Sequence, residues 1–216
     1  MNTNKPTMKI VDERGKRVIT ELEVRGAAPG DTIRVDEAAI LTPLAMDLVR
    51  EIGINVERVR RRSSGRKLKI ALGADHGGFE AKEALKITIV DLGHDFQDFG
   101  TYSLEAVDYP DFAHLVAIAV ARGSCDLGII VDGAGIGSCM VANKVPGVRA
   151  ALCYDEDSAR NSREHNGANV LTLGGKIVPI DRLHDIVKMW LATDLTEDRH
   201  RRRVAKIDAI ERTYLK

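Results

Sequence analysis

The sequence predicts an α/β protein: a parallel sheet of five strands with helices on both faces, preceded by a small α+β unit. Three observations predict it. After residue 67, short apolar runs alternate with helix-like stretches, the pattern of βαβ units and a covered parallel sheet. Glycine-rich turns follow two of those runs directly, at 73–78 and 132–138. A basic seam, RVRRRSSGRK at 58–67, separates this pattern from a different one before it. Ser-Ser-Gly and the lack of an apolar period mark the seam as a solvated linker rather than a nucleic-acid contact. The domains read as 1–62 and 67–216.

In the first domain, 9–11 and 16–19 are strand-like and flank a turn at 12–15. A further run at 32–35 follows the breaker Ala28-Pro29-Gly30-Asp31. Thr42-Pro43 is an N-cap and first-turn pair. The helix after it places Leu44, Leu48, Val49 and Ile52 on one face, Gly53 ends it, and 54–59 closes the unit as a strand. This domain has no histidine or cysteine, and nothing in it looks catalytic.

In the second domain, strands are expected at 68–72, 95–99, 127–131, 148–153 and 169–173. Helices are expected at 79–90, 111–122, from the glycine turn to about 144, 158–165, 181–192 and 196–214. Ligands of such sheets bind at the carboxyl ends of strands, and four loops are expected there.

Composition narrows the function. The protein has 44% hydrophobic and 30% charged residues, enough for a core. No apolar run approaches the ~20 residues of a membrane helix, and the first residues lack a secretory signal. Thirty-two basic residues balance thirty-two acidic ones, so nothing global points to nucleic acid. Cys125, Cys139 and Cys153 form no CxxC pair, which argues against a disulfide framework or a zinc site. A cytoplasmic setting follows.

The first loop, 73–78, carries Asp75, His76 and two glycines: a polar-ligand site, or a tight turn whose aspartate caps the next helix. In the second, Asp132 precedes Gly133, Ala134, Gly135, Ile136, Gly137 and Ser138. Three glycines in five positions free backbone amides at a helix N-terminus, which builds an anion cradle or oxyanion hole. The spacing is not the dinucleotide fingerprint. The third loop places His165 at a helix end beside Asn166, as a proton donor or acceptor or as an idle surface histidine. In the fourth, Arg199 and Arg203 share one helix face and can grip a phosphate; a solvated basic surface is the alternative. The opposite face, with Val204, Ile207, Ile210 and Tyr214, reads as packing against a core or a partner.

Together these segments resemble the ribose-5-phosphate isomerase B family, which includes the galactose-6-phosphate isomerase subunits. The residues concerned are GADHGGFEAKEAL (73–85), DFGTYSLEAVDYPDFA (98–113), GAGIGSCMVANKVPGVRAALCYD (133–155), SARNSREHNGANVLTLGGKIV (158–178) and RHRRRVAKI (199–207). The resemblance implies a five-stranded parallel sheet and a homodimer, or a dimer of dimers, with active sites between subunits. It implies that a sugar ring is opened and a base then moves a proton between C1 and C2 through a cis-enediolate. Carried over by position, Asp75 becomes a ligand of the sugar hydroxyls and His165 the ring-opening acid or base, with Asn166 beside it. Gly133, Ala134, Gly135, Gly137 and Ser138 lie in the stretch holding the enediolate oxygen. Arg199 and Arg203 of the neighbouring chain become the phosphate clamp, helped by His76, and Tyr102 lines the pocket. The chemistry requires no metal or organic cofactor.

Three departures stand out. Many members have a cysteine base where this chain has Asp132. Another branch has a glutamate base at the position of Ser138. Many also carry a hydroxyl at the position of Ala134. A carboxylate is an adequate base beside a carbonyl when burial raises its pKa, so Asp132 is the expected base and ribose 5-phosphate the expected substrate. The rival readings are a hexose 6-phosphate isomerase, a weakly active or inactive sugar-phosphate-binding paralogue and a flavodoxin-like nucleotide binder. The last leaves Asp132, His165 and the arginine pair unexplained. The segment 40–45 and its helix resemble extensions of bacterial microcompartment enzymes. That implies docking of residues 1–62 to a shell or cargo partner inside such a compartment; a dimer-stabilising appendage is the alternative.

Overall fold

A computed structural model of the chain describes residues 9–13, 16, 18–36, 39–59 and 67–215. The chain divides into two compact units, 1–62 and 63–216. Residues 60–66, most of the expected linker, lie outside the described residues.

The first unit runs β1 (Ile10–Asp12), β2 (Val18–Ile19), α1 (Glu21–Val24), β3 (Thr32–Asp36), β4 (Ile40–Leu41), α2 (Pro43–Ile52) and β5 (Asn55–Val59). Thr42 caps α2, its hydroxyl accepting the Ala45 amide at 3.2 Å, and Gly53 ends the helix in the left-handed region at φ 76°. α1 and β4 were not expected; at four and two residues they are too short to show a period. All pairings are parallel, β1–β3–β5 and β2–β4. Ile10 pairs with Thr32 and Val18 with Ile40, 22 residues apart in both cases. Thr20 and Thr42, at the same separation, cap α1 and α2. The unit is therefore a repeated β-β-α segment closed by β5, around a core of Ile19, Val24, Ile33, Val35 and Ala45.

The second unit runs β6 (Lys69–Ala74), α3 (Phe79–Asp91), β7 (Asp95–Asp98), α4 (Tyr109–Ala121), β8 (Leu127–Asp132), α5 (Ile136–Ala142), β9 (Ala150–Leu152), α6 (Glu156–Glu164), β10 (Val170–Gly174), α7 (Ile180–Leu191) and α8 (Asp198–Tyr214). Its five strands are all parallel, in the order β7-β6-β8-β10-β9, a Rossmann-like layer. Successive strand residues face opposite sides of a sheet, and the cores follow that rule. Ile70, Leu72, Ile129, Val131, Leu171 and Leu173 face α3, α6 and α7. Ala71, Ile130 and Val170 face α4 and α5. From β6 the chain steps to β7 on one side, and from β8 it proceeds to the β9–β10 side. The connections diverge beyond the carboxyl ends of β6 and β8, the place of the ligand crevice in such sheets.

α3 buries a charge. Lys82 is wholly inaccessible, with its ammonium 2.8 and 2.7 Å from the two oxygens of Asp98 and 2.9 Å from Glu83. Lys86 binds the same two carboxylates.

Candidate active site

Three loops meet backbone to backbone at the crevice. Asp75 follows β6, and its carboxylate accepts the Gly78 amide at 3.0 Å. A Cβ on Gly77 would lie 3.2 Å from the Gly133 nitrogen, and one on Gly78 would collide with the Val131 carbonyl. The turn after β10 closes the third side: the amides of Gly175 and Lys176 donate to the carbonyls of Asp132 and Gly133 at 2.8 and 3.1 Å. A Cβ on Gly174 would fall 2.8 Å from the Ala134 carbonyl oxygen. Glycine is required here for close approach. Only Gly135, at φ 79°, also needs it for its backbone conformation.

Asp132 ends β8 and is 5% exposed; Asp75 is 8% exposed. Oδ1 of Asp132 accepts the amides of Ala134, at 2.8 Å, and Gly135, while Oδ2 accepts the Ser138 amide at 3.0 Å. The carboxylate thus caps α5 and takes three donors that the sequence reading assigned to an enediolate. The amides of Gly133, Ile136 and Gly137 have no acceptor among the described residues. Each carboxylate oxygen has two lone pairs, so Oδ2 keeps one. Burial pushes the Asp75 carboxyl up, the Gly78 bond opposes it, and the nearby Asp132 charge pushes it up further. Ser138 Oγ is buried without a hydrogen-bond partner among the described residues.

His76 and Tyr102 stand at the wall of the crevice. His76 Nδ1 lies 3.2 Å from the main chain of Val107. Tyr102 is exposed, its hydroxyl donating to the Asp98 carbonyl at 3.1 Å, with the Lys82 ammonium 5.2 Å from its ring centre. Three residues at this end were missed in the sequence. The Tyr109 ring lies over Gly137, where a Cβ would sit 2.5 Å from Cζ. Tyr154 donates to the Ala134 carbonyl at 3.1 Å. The Lys176 side chain passes 3.8 Å from the Cβ position of Gly133, which brings an exposed cation to the mouth. Only Lys176, after Gly-Gly at a strand end, carried a signal that could have found it.

The other two expected loops are not at the carboxyl ends, which corrects the sequence reading. α6 runs back against the strands, so His165 at its end lies beside the amino end of β10. Asn169 marks that end: its carbonyl accepts the Gly128 amide at 2.9 Å and its side chain accepts the Arg149 amide at 2.7 Å. α8 is fastened to the same end. Asp208 pairs with Arg149 at 2.9 Å, and Glu211 accepts the Gly147 amide at 3.0 and 2.9 Å. Asp132 is in register with Gly174, and roughly 13 Å of strand separates Gly174 from Val170. Asp75 and Asp132 therefore form one cluster, while His165, Asn166, Arg199 and Arg203 form another at the opposite end. In the second cluster His165 stacks on His200 with ring centres 4.2 Å apart, Arg199 pairs with Glu197 at 2.5 Å, and Arg203 is exposed.

Among the described residues no group of three or more histidine, cysteine and acidic side chains could hold a metal ion. No described helix is long and apolar enough to cross a membrane.

Comparison with known proteins identifies the family and the fold. The ribose/galactose isomerase family matches residues 70–207. Ribose-5-phosphate isomerase B of Escherichia coli K12 is 43% identical over 143 residues, 66% of this chain and 96% of the relative. The solved ribose-5-phosphate isomerase B of Clostridium thermocellum superposes with a TM-score of 0.67 at 47% identity, covering 68% of this chain and all of that one. The Mycoplasma genitalium enzyme, solved with bound ribulose-5-phosphate, gives 0.65 at 39% identity, covering 67% of this chain and 96% of that one. Fold and relatives define the class, an aldose–ketose isomerase acting on a sugar phosphate. The chain belongs to the ribose/galactose isomerase family.

Proposed function

We propose that the chain interconverts ribose 5-phosphate and ribulose 5-phosphate through a cis-enediolate. The observation that carries this reading is the pair of buried carboxylates, Asp75 and Asp132, where three glycine-bearing loops meet. Asp132 takes the C2 proton of the opened aldose on the remaining lone pair of Oδ2 and returns it at C1, while the hydroxyl proton of O2 passes to O1 across the cis-enediolate. The amides of Gly133, Ile136 and Gly137 receive the charge that develops on oxygen. Asp75 binds sugar hydroxyls. His165 and Asn166 serve ring opening, Arg199 and Arg203 hold the phosphate with His76 and Lys176, and Tyr102 lines the pocket.

The two clusters lie at opposite ends of one sheet, so the reading requires a homodimer in which each site takes one cluster from each copy. The exposed Ile207, Ile210 and Tyr214 of α8 support such pairing. Mixed dimers test it. Asp132→Asn and Arg199→Ala/Arg203→Ala homodimers are both expected to be inactive on ribose 5-phosphate. Reassembled together, half the dimers are mixed and each has one intact site, so about a quarter of wild-type turnover should return. No recovery would place each site within one chain.

Residues 1–62 are proposed to dock the enzyme to a microcompartment shell or cargo partner. The exposed apolar residues Val18, Leu22, Ile40 and Leu44 of the repeated segment support this. Deleting 1–62 should leave kcat/KM within about twofold and abolish co-assembly; a loss of dimerisation instead would assign the unit a structural role.

A further inference from the structure

His165 is held by groups that the reaction scheme leaves unused. Its Nδ1 lies 2.9 Å from the side-chain nitrogen of Asn161, one helical turn earlier. The direction of that bond follows from a third residue. The Asn166 amide nitrogen approaches the main-chain carbonyl of Asn161 at 3.4 Å and its Oδ1 at 3.3 Å. A main-chain carbonyl only accepts, so the Asn166 NH₂ faces Asn161 and Asn161 turns its own oxygen toward it. The Asn161 NH₂ is left facing His165. An amide NH₂ only donates, so Nδ1 accepts, and a neutral His165 ring carries its proton on Nε2.

The ring plane is fixed separately. His200 on α8 lies against His165 at 19° between planes. It is 3% exposed, and neither of its nitrogens makes a hydrogen bond among the described residues. Burial pushes its imidazole toward the neutral form. Its one polar neighbour of note, the Glu197 carboxylate, lies 3.7 Å from Nε2, beyond hydrogen-bond distance, so what His200 contributes to His165 is a flat face.

We infer that Asn161 and His200 are positioning residues for His165: Asn161 occupies Nδ1 and His200 fixes the ring plane, so that Nε2–H is the donor offered to the oxygen of the sugar ring. The inference rests on the proposed role of His165 in ring opening, and the test separates the two.

Two readouts on the full-length chain are used. The first is the long-range proton–nitrogen NMR spectrum of the histidine rings without substrate. Wild-type His165 is expected in the Nε2–H form. Asn161→Asp supplies an acceptor in place of a donor, and should convert the ring to Nδ1–H. The second compares ribose 5-phosphate turnover with solvent deuterium entering C1 of ribulose 5-phosphate. That ketose is open-chain, because its O5 carries the phosphate, so exchange needs the base but not ring opening. Asn161→Asp should lose roughly 10²-fold or more in turnover, as expected of a wrong tautomer, and keep exchange within about threefold. His200→Phe preserves the flat face and should retain turnover within about threefold, whereas His200→Ala should lose roughly tenfold or more.

An Nδ1–H ring in the wild type, undiminished turnover in Asn161→Asp, or equal losses in a folded His200→Phe and in His200→Ala would each overturn the inference. A wild-type chain that turns over no ribose 5-phosphate would instead tell against the proposed function. The NMR arm would still judge the tautomer.

Discussion

Asp132→Asn is expected to lower ribose 5-phosphate turnover by roughly 10²- to 10⁴-fold, the contribution of a positioned base. The substitution keeps the shape and removes both the negative charge and one acceptor. In the native site Oδ1 serves two amides and Oδ2 serves one. The asparagine oxygen can replace Oδ1, but its NH₂ then faces the Ser138 amide, two donors with no acceptor between them. Leaving that amide unpaired costs about 1–3 kcal/mol, so a fall in melting temperature should accompany the kinetic defect. The two effects separate when both reactions are followed well below the transition. If Asp132 is the base, isomerisation and deuterium entry into ribulose 5-phosphate are lost together, and phosphate still binds. Retention of exchange would remove Asp132 from proton transfer and turn attention to Asp75, the other buried carboxyl at the crevice.

Much of the fold was legible because its signals are local. The apolar runs that became β6, β8 and β10, the Thr42-Pro43 start of α2 and its Gly53 stop depend on nearest neighbours in sequence. The cluster around Asp132 was legible for the same reason: a carboxylate, three glycines and a helix start are consecutive. The location of His165 was not. Whether a loop lies at the carboxyl or the amino end of a sheet depends on whether it follows a strand or a helix, and His165 follows α6. Reading its loop as a strand-end loop placed it some 13 Å of strand away from its position. The self-capping of Asp132 was likewise hidden, since a sequence shows that amides are free but not which acceptor reaches them. Lys82 escaped notice because a lysine in a helix of mixed character reads as solvent-facing; only the position of β7 shows that Asp98 stands opposite it.

That lysine is the site of the second large effect, this time on stability. Lys82→Met should destabilise the second unit by about 3 kcal/mol at neutral pH, the lower part of the range for breaking a buried pair. Lys82 neutralises Asp98 and Glu83 together with Lys86, and without it two carboxylates share one exposed-side cation. Asp98 also holds the Gly100 amide at 2.9 Å, and its carbonyl accepts from Tyr102, so the pocket wall should loosen and KM rise. The pH dependence identifies the cause. Burial alone would raise the Asp98 carboxyl, but Lys82, Lys86 and the Gly100 amide together hold it below the ordinary carboxylate range. A group whose folded pKa is depressed contributes stability above its unfolded value, about 3.9, and loses that contribution as pH falls through the folded pKa. The difference between wild type and Lys82→Met, measured by urea unfolding, should therefore be greatest near neutrality and shrink as the pH is lowered below about 4. Lys82→Met/Asp98→Asn should recover part of the loss, because it removes the stranded charge as well as its partner. A pH-independent difference, or a double variant no more stable than the single one, would mean that Lys82 acts through packing of its hydrocarbon stem and not through its charge.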